Sequence, residues 1–457
     1  MGGTYNAWSD DRLKKAYDRL TFKPVMSLGE GFRDDAKLRH NVRDYGAVGD
    51  GYHDDTQSIE KAVAKATAGE TVFFPPGKYM ITSPIIIDKS HIAVKGKDAE
   101  IIFRPVATRE LSFRSLNNGK SFGKKFSSSA FLIKGDFLLP GYKVGGNNTE
   151  NATRLECPVA TEKFAEGDLV VVTNTNHGKK VKLSKKVLYM NREQNLFSRV
   201  ERVEQSAIVL ADPLPFPLEA INKLVVFQIS AVVNVELSDL TITIASKKKD
   251  VENISGITLI YTAGAVINKV SLRHTLKESI NLQHCYQCEI SECNLTDMFR
   301  FDSQNGLAVN LDRSHFCVIQ NNFIANSRHA VLLNHGNSNC VIEHNLIKDA
   351  IAIAAIDLHG EFNSYNVIRA NDISGCKAGI VVGGGGEHHY NDGPFNAVID
   401  NKITDCDIGI QIKNETASTI MADNKINKIK YKNKEIMVIN ASEDDIIQIK
   451  KSTTQAP

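Results

Sequence analysis

The chain has 457 residues, of which 42% are hydrophobic and 24% are charged, and its 55 Lys and Arg residues nearly balance its 53 Asp and Glu residues. This composition is ordinary for a folded domain protein and gives no global basic field, so nucleic acid is not an expected partner. No apolar run is long enough to cross a bilayer, so no membrane partner is expected either.

The N-terminal stretch "MGGTYNAWSDDRLKK" lacks the apolar core of a secretion signal. Two interpretations stay open: an intracellular or phage-borne protein, or a secreted or periplasmic protein whose signal has been removed. We treat residues 1–40 as an N-terminal extension. The eight cysteines do not indicate a disulfide scaffold, and the Cys285/Cys288 pair has no second pair at zinc-ligand spacing. Buried thiols are the prediction for Cys288, Cys317, Cys340, Cys376 and Cys406.

Residues 41–105 begin with "NVRDYGAVGDGYHDDTQSIEKAVAKATAGETVFFPPGKYMI", which predicts a strand, a turn, an amphipathic helix and another strand. Asp54, Asp55 and Thr56 are predicted to supply N-cap oxygens for this helix. The apolar face of the helix comprises Ile59, Ala62, Val63 and Ala66. The stretch resembles the entrance of the pectate-lyase-like right-handed β-helix superfamily. The resemblance implies that fold, with the helix capping the open end of the coil stack, and indicates little about activity.

Residues 106–225 lack a period. "FAEGDLVVVTNTN" and "RVERVEQSAIVLADPLPF" alternate apolar and polar residues, as β-hairpins do. We therefore predict an inserted small β subdomain on the side of the main architecture. The Lys-rich "HGKKVKLSKKVL" within it is predicted to be a solvated loop, with contact to an acidic polymer as the alternative.

Residues 226–445 repeat at roughly 23 to 30 residues, a period typical of solenoids. Short strands such as "GITLIY", "AVLLNH" and "GIQIKN" alternate with second strands that end in Asn and an apolar pair. Asn carries a donor and an acceptor, so these residues can stack from coil to coil. The predicted ladder comprises Asn294, Asn322, Asn345, Asn371, Asn401 and Asn424. The fold prediction is all-β: a right-handed parallel β-helix with an N-terminal capping helix, an inserted β subdomain and a C-terminal tail at 446–457.

Alternate side chains of each repeat strand face outward. Taking Leu307 and Val309 as inward places Ala308 in the first outward column, with Asp357. The second outward column then contains Asn310, Asn334 and His359. Stacking at about 4.8 Å per coil makes this second column a polar strip. His284, Leu311 and His335 follow at the turn, and Gly383–Gly386 leave room beside the strip.

The segment "AAIDLHGEFNSYNVIRAND" is similar to the Asp-x-His motif of mannuronan C5-epimerases and some uronate-polymer lyases, with Asp357 and His359 at the matching positions. The epimerases have Pro between these two residues and Tyr three residues before the Asp, where this chain has Leu358 and Ala354. The resemblance covers this strand and its turn.

Eliminative cleavage of a uronate polymer needs a partner for the substrate carboxylate, a base near C5 and a proton donor for the leaving oxygen. We predict a polysaccharide lyase acting on an acidic polysaccharide or oligosaccharide. His359 and His335 are the candidate base and acid, Arg313 is the candidate carboxylate partner, and Asp357 orients His359. The predicted substrate contacts are His284, Asn310, Asn334, Glu361, Tyr365, His389 and Tyr390.

Three alternatives stay open. A glycoside hydrolase or transferase would pair Asp357 with Glu361 or Asp312, a C5-epimerase would use the same site, and a tailspike-like protein or adhesin would bind glycan without turnover. The cofactor is unknown; Ca²⁺ is the candidate, with Asp357, Glu361 and Asp392 as its oxygen ligands. A homo-oligomer is a further expectation from spike-like β-helices.

Overall fold

Short Val- and Ile-rich segments recur along the chain, and in the computed structural model they stack in register into three parallel sheets of about 12 turns. This confirms the predicted right-handed parallel β-helix. The structure describes residues 39–106, 112–117, 120–125, 128–145, 152–174, 179–183, 186–190, 195–215, 224–245, 254–298, 305–360, 362–384, 393, 395–413, 419–431, 434–439 and 446–449.

Sheet 1 carries the strands on which the predicted site lies. Its strands are Ile85–Ile87, Ser128–Lys134, Ile254–Ala263, Glu278–Tyr286, Leu307–Asp312, the ends of Phe323–Leu333 and Leu346–His359, Ala378–Gly384, Ile408–Lys413 and Ile436–Ile439, with Val232–Val233 alongside.

Sheet 2 follows sheet 1 along each coil. Its strands are Arg39–Asn41, Thr71–Phe74, the beginnings of Ala93–Phe103 and Glu236–Ile244, Val266–Asn268, Glu289–Ser291, Val318–Gln320, Val341–Glu343, Val367–Arg369, Ala397–Ile399, Thr419–Ala422 and Ile446–Ile449.

Sheet 3 completes the coil. Its strands are Asp50–Asp54, Gly77–Ile81, the ends of Ala93–Phe103 and Glu236–Ile244, Ser271–Arg273, Asn294–Thr296, the beginnings of Phe323–Leu333 and Leu346–His359, Asp372–Ser374, Lys402–Thr404 and Lys425–Asn427. Phe323–Leu333 and Leu346–His359 therefore bend from sheet 3 into sheet 1.

The Asn ladder forms at the corner between sheets 2 and 3. Asn345 Nδ2 donates to Asn371 Oδ1 at 3.0 Å, and its own Oδ1 accepts from Asn322 at 2.9 Å. The ladder continues through Asn401 to Asn424. The prediction for Asn294 was wrong: Asn294 is exposed in sheet 3, and the preceding Cys293 takes the ladder position.

The predicted register was wrong by two residues at Leu307–Asp312. Val309 and Leu311 pair with Ile280 and Leu282 and face the core. Asn310 consequently pairs with Asn281, in the outward column that leads through Leu332 to Asp357. Asp312, paired with Gln283, takes the place predicted for Asn310, and Arg313 takes the turn position predicted for Leu311.

The predicted helix spans Thr56–Lys65 and buries its apolar face against the core. It packs on Arg39–Asn41 and Ile85–Ile87. The Asp54 carboxylate accepts from the amide of Thr56 at 3.1 Å and from the Thr56 hydroxyl, but Asp54 lies one residue before the N-cap position, which Asp55 occupies. The cap role predicted for Asp55 was wrong, because its carboxylate accepts from the amides of Val48 and Gly49 instead.

Antiparallel strands on the side of the solenoid lie within the stretch 106–225 predicted as an insertion, except that the last of them, Leu224–Ser230, extends beyond its end. They are Asp136–Phe137, Tyr142–Val144, Arg154–Glu156, Leu169–Asn174, Asn195–Glu204, Ala207–Leu210 and Leu224–Ser230. Two further hairpins comprise Ser112–Asn117 with Lys120–Lys125 and Lys179–Leu183 with Lys186–Met190. The second hairpin covers the Lys-rich stretch that was predicted to be a loop. Ser128–Lys134 belongs to sheet 1 although it lies inside the predicted insertion.

The insert docks on sheet 1 through an apolar cluster that contains Phe197 and Tyr286, whose rings stack at 5.4 Å. Buried Asp212 accepts hydrogen bonds from Tyr286 Oη at 2.6 Å and Ser198 Oγ at 2.7 Å. The imidazole of His315 is hydrogen-bonded to Asn195 Oδ1 at 2.8 Å. These bonds give partners to Asp212, Tyr286 Oη and the His315 imidazole, whereas the buried Asn195 Nδ2 has no partner among the described residues.

All eight cysteines are buried free thiols, which confirms the prediction made for Cys288, Cys317, Cys340, Cys376 and Cys406. Within the described part of the chain, no cluster of His, Cys, Asp and Glu has the makings of a metal site. Across the same residues, no helix has the length and apolar character needed to span a membrane.

Candidate functional site

Two histidines and an aspartate meet on the outer surface of sheet 1. Asp357 and His359 are two residues apart near the end of Leu346–His359, and both face outward. His359 Nδ1 lies 3.3 Å from Asp357 Oδ2. His359 remains 29% exposed, whereas Asp357 is fully covered. The aspartate therefore holds the histidine from beneath.

His329 is the third member of this cluster, and sequence reasoning missed it. It lies one coil earlier, level with Ala354. Its Nδ1 is 3.6 Å from Asp357 Oδ2, an electrostatic contact longer than a hydrogen bond. Its ring is 6.3 Å from that of His359, edge to face. The sequence pattern predicts that this repeat strand begins at Ala330, one residue after His329, so His329 is absent from the predicted outward columns.

Burial sets the charge states of the cluster. Removal from water lowers the pKa of His329 to about 4, against the opposing pull of the Asp357 charge, so the ring is neutral at neutral pH. Burial raises the pKa of Asp357, whereas the hydrogen bond from His359 and the nearby positive charges lower it. The lowering prevails, so Asp357 is a buried carboxylate beside a neutral imidazole.

Two acceptor atoms in the Asp357 column are buried and have no hydrogen-bond partner among the described residues: Asp357 Oδ1 and Asn310 Oδ1. Asn310 Nδ2 donates to Asn281 Oδ1 at 2.9 Å, which orients the Asn310 amide. Buried acceptors normally find a partner. These two oxygens are therefore positions where a hydroxyl-bearing ligand or water would be held.

His335 and Asn334 lie one coil before His359 at the adjoining turn. Asn334 is half-buried and His335 is buried. A Cβ added to Gly360 would lie 2.0 Å from His335 Nδ1, so the imidazole packs directly on the backbone that follows His359. His335 therefore packs against the residue that follows His359, and its own side chain is buried.

Arg313 and His284 occupy the same turn in the preceding coils. Arg313 Nη1 lies 3.1 Å from both Asp312 carboxylate oxygens, and the Arg313 amide donates to the His335 carbonyl. The guanidinium predicted to hold a substrate carboxylate is thus already paired with Asp312. His284 is buried and stacks on Tyr261 at 4.9 Å, which makes it a packing residue at the edge of the insert.

Positive charge near the cluster comes from other residues. Lys413 acts on both Asp357 and His329, and Arg328 acts on His329. Lys413 closes Ile408–Lys413, two strands beyond the Asp357 strand in sheet 1. The sequence prediction did not assign Lys413 to the site.

The structure does not bring Tyr365 into this cluster. Tyr365 is buried at the turn before sheet 2, where its ring packs on Phe395 at 5.5 Å. Glu361, His389, Tyr390 and the proposed calcium ligand Asp392 lie outside the described residues.

Two family models match the chain. The model described as rhamnogalacturonase A/epimerase, pectate lyase-like, matches residues 39–119, and the model of the right-handed β-helix region matches residues 278–453. These matches cover the predicted N-terminal motif and the repeats with the Asp357 strand.

Curated relatives match over short segments. Plasmin and fibronectin-binding protein A of Streptococcus pneumoniae is 48% identical over 54 residues, 11% of this chain and 7% of that protein. Mannuronan C5-epimerase AlgE6 of Azotobacter vinelandii is 46% identical over 48 residues, 10% of this chain and 6% of that protein. The matched segments are thus less than a tenth of these two relatives' own length.

Tailspike gp49 from Pseudomonas phage LKA1 has the same fold, with a TM-score of 0.56 and 12% identity over 90% of this chain and 81% of that chain. The fold is therefore shared with phage tailspikes, and the two family models agree with the parallel solenoid described above. The two matched regions of the chain are similar to the pectate-lyase-like and right-handed β-helix families that its sequence resembles.

Proposed function

We propose that the protein is a carbohydrate-active enzyme that cleaves an acidic, uronate-containing polysaccharide by β-elimination. The observation that carries the proposal is the outward-facing Asp357–His359 pair. A carboxylate on Nδ1 favours the tautomer with its proton there, which leaves Nε2 as a base. In the substrate, the carboxylate group attached to C5 makes the C5 proton acidic. An imidazole can remove the C5 proton once the negative charge of this carboxylate is compensated.

The reaction divides among residues of this chain as follows. His359 Nε2 removes the C5 proton, the electron pair forms the C4–C5 double bond, and the bond from C4 to the glycosidic oxygen breaks. The imidazolium formed on His359 returns the proton to the leaving oxygen when both groups lie on one face of the sugar. Lys413 compensates the substrate carboxylate, because its charge already acts on this cluster.

A paired-carboxylate hydrolase has less support from the described residues. Asp357 is fully buried, and the two carboxylate oxygens of Asp312 both face Arg313. Hydrolysis needs one carboxyl group that protonates the leaving oxygen and a second that reaches the sugar or a water. C5 epimerisation shares the first proton abstraction and differs in needing a proton donor on the opposite face of the ring.

The test is incubation of the full chain with alginate, pectate, glycosaminoglycans and neutral glucans while ultraviolet absorbance is recorded. A lyase produces a 4,5-unsaturated sugar that absorbs there. His359→Gln and Asp357→Asn are expected to lower the rate by at least about 100-fold, whereas His344→Gln, at an exposed histidine, leaves it unchanged.

Other outcomes point to other functions. New reducing ends without absorbance identify a hydrolase, and a changed uronate ratio without chain shortening identifies an epimerase. Binding without any of these changes identifies a tailspike-like or adhesin role, with an extracellular or phage location. Full activity in both variants contradicts the site.

A further inference from the structure

We propose that a groove on sheet 3 is a second carbohydrate-binding site, which takes a neutral oligosaccharide and performs no chemistry. The groove has a volume of about 570 Å³ and lies on a different sheet from Asp357. Its floor is made of outward side chains from consecutive coils between Gly77–Ile81 and Asn294–Thr296. The proposal is independent of the catalytic assignment.

Strand register turns small polar residues into a continuous row along the groove. Glu100, Thr241, Ser271 and Asn294 are consecutive members of one column. Coils lie about 4.8 Å apart, which is comparable to the length of one pyranose ring. Hydroxyl and amide groups at this spacing offer a donor and an acceptor to each successive sugar.

Two charged groups of the groove, Glu100 and Arg273, are held in place before any ligand arrives. Glu100 Oε1 accepts from Thr243 Oγ1 at 2.8 Å and from Arg273 Nη2 at 3.1 Å. Arg273 Nε donates to Thr243 Oγ1 at 3.1 Å. The Arg273 side chain is 48% exposed, so its remaining N–H groups are accessible. A fixed guanidinium costs less ordering entropy on binding than a free one.

The balance of charge favours an uncharged ligand. Lys78 and Arg273 contribute two positive charges, and Asp98, Glu100 and Asp297 contribute three negative ones. A polyanion would meet net repulsion here, whereas sugar hydroxyl groups can pair with both signs. The Asp357 cluster differs, because Lys413 and Arg328 bias it toward anions.

Beyond the groove, the next two residues of the same column are apolar. Phe323 is paired with Asn294 and is partly exposed, and Leu346 follows with 38% exposure. Aromatic rings present a large rigid surface at low entropic cost. The Phe323 ring provides a surface for the apolar face of a sugar whose neighbours lie over the polar row.

The experiment titrates the full chain with neutral hexasaccharides built from glucose, mannose, galactose or N-acetylglucosamine, and with an acidic oligouronate, by calorimetry. Ser271→Tyr fills the middle of the groove. Ser374→Tyr is the matched control, since Ser374 lies on sheet 3 beyond the groove. Arg273→Gln removes the guanidinium and serves if Ser271→Tyr fails to fold.

We expect a neutral hexasaccharide to bind to the wild type. Ser271→Tyr or Arg273→Gln should weaken the affinity for this hexasaccharide by about tenfold or more, and Ser374→Tyr should leave the affinity unchanged. Asp357→Asn leaves the same binding intact, which separates this site from the catalytic proposal. Absence of binding by every neutral probe, binding unaffected by the groove variants, or groove binding restricted to the oligouronate overturns the proposal.

Discussion

Replacing His329 by Gln should reduce the loss of unfolding free energy that the protein undergoes as the pH falls from about 6.5 to about 4. The folded pKa of His329 is about 4, because the ring is buried, while an unfolded histidine titrates near 6.5. Between these values the unfolded chain binds a proton that the folded chain does not. Stability is therefore lost as the pH falls through this window, and His329 has no such effect above it.

The magnitude follows from the gap between 6.5 and about 4. At about 1.36 kcal/mol for each pH unit, the gap corresponds to about 3 kcal/mol lost by pH 4. Gln at this position carries no titrating group. Between pH 6.5 and 4, the unfolding free energy of the variant should therefore fall by about 3 kcal/mol less than that of the wild type. The pKa of Asp357 is lowered from its ordinary value by the hydrogen bond from His359 and by nearby positive charges, so this carboxylate stays ionised in the folded protein over most of the same window.

The assay is urea unfolding of the wild type, His329→Gln and His344→Gln at several pH values from 7 to 4. His344 is 57% exposed and serves as the matched control. A background slope from His315, whose pKa burial lowers to about 3, should persist in all three proteins. The pH dependence is compared, not the stability at one pH, because Gln also changes packing. Parallel curves for wild type and His329→Gln would refute a neutral buried imidazole.

Three further predictions concern the scaffold. Asn345→Leu should cost about 2–4 kcal/mol in denaturant unfolding because it breaks the ladder to Asn371 and leaves buried amides unpaired; a cost below about 1 kcal/mol would contradict a continuous ladder. Gly360→Ala should lower both stability and turnover, since the new Cβ would lie 2.0 Å from His335 Nδ1 and the residue has a φ of +119°. Gly69→Ala is the control, because Gly69 also has a positive φ but no heavy atom near the new Cβ, and it should show only a smaller backbone cost in the same measurements. Equal effects of the two substitutions would refute the steric argument. All eight buried thiols should resist a thiol reagent in the native protein and react after denaturation; rapid native labelling would contradict their burial.

The order and nature of the repeats were readable from the sequence because they depend on local chemistry. Alternating apolar residues, an Asn at the same corner of each coil and an amphipathic segment after "GDGYHDDT" predicted the solenoid and the Thr56–Lys65 helix. The Asp357–His359 pair was readable for the same reason, since two residues apart on one strand share a face.

The partners of that pair were decided by register, which short local patterns specify weakly. "LAVNLD" alternates, so a shift of two residues leaves the same faces apolar, and only pairing with Ile280 and Leu282 placed Asn310 in the Asp357 column. The strand Phe323–Leu333 bends from sheet 3 into sheet 1, and this bend places His329 beside Asp357 of the next coil. The sequence alone determined which residues could face outward on sheet 1. The stacking of strands that are distant along the chain decided which of these residues contact one another.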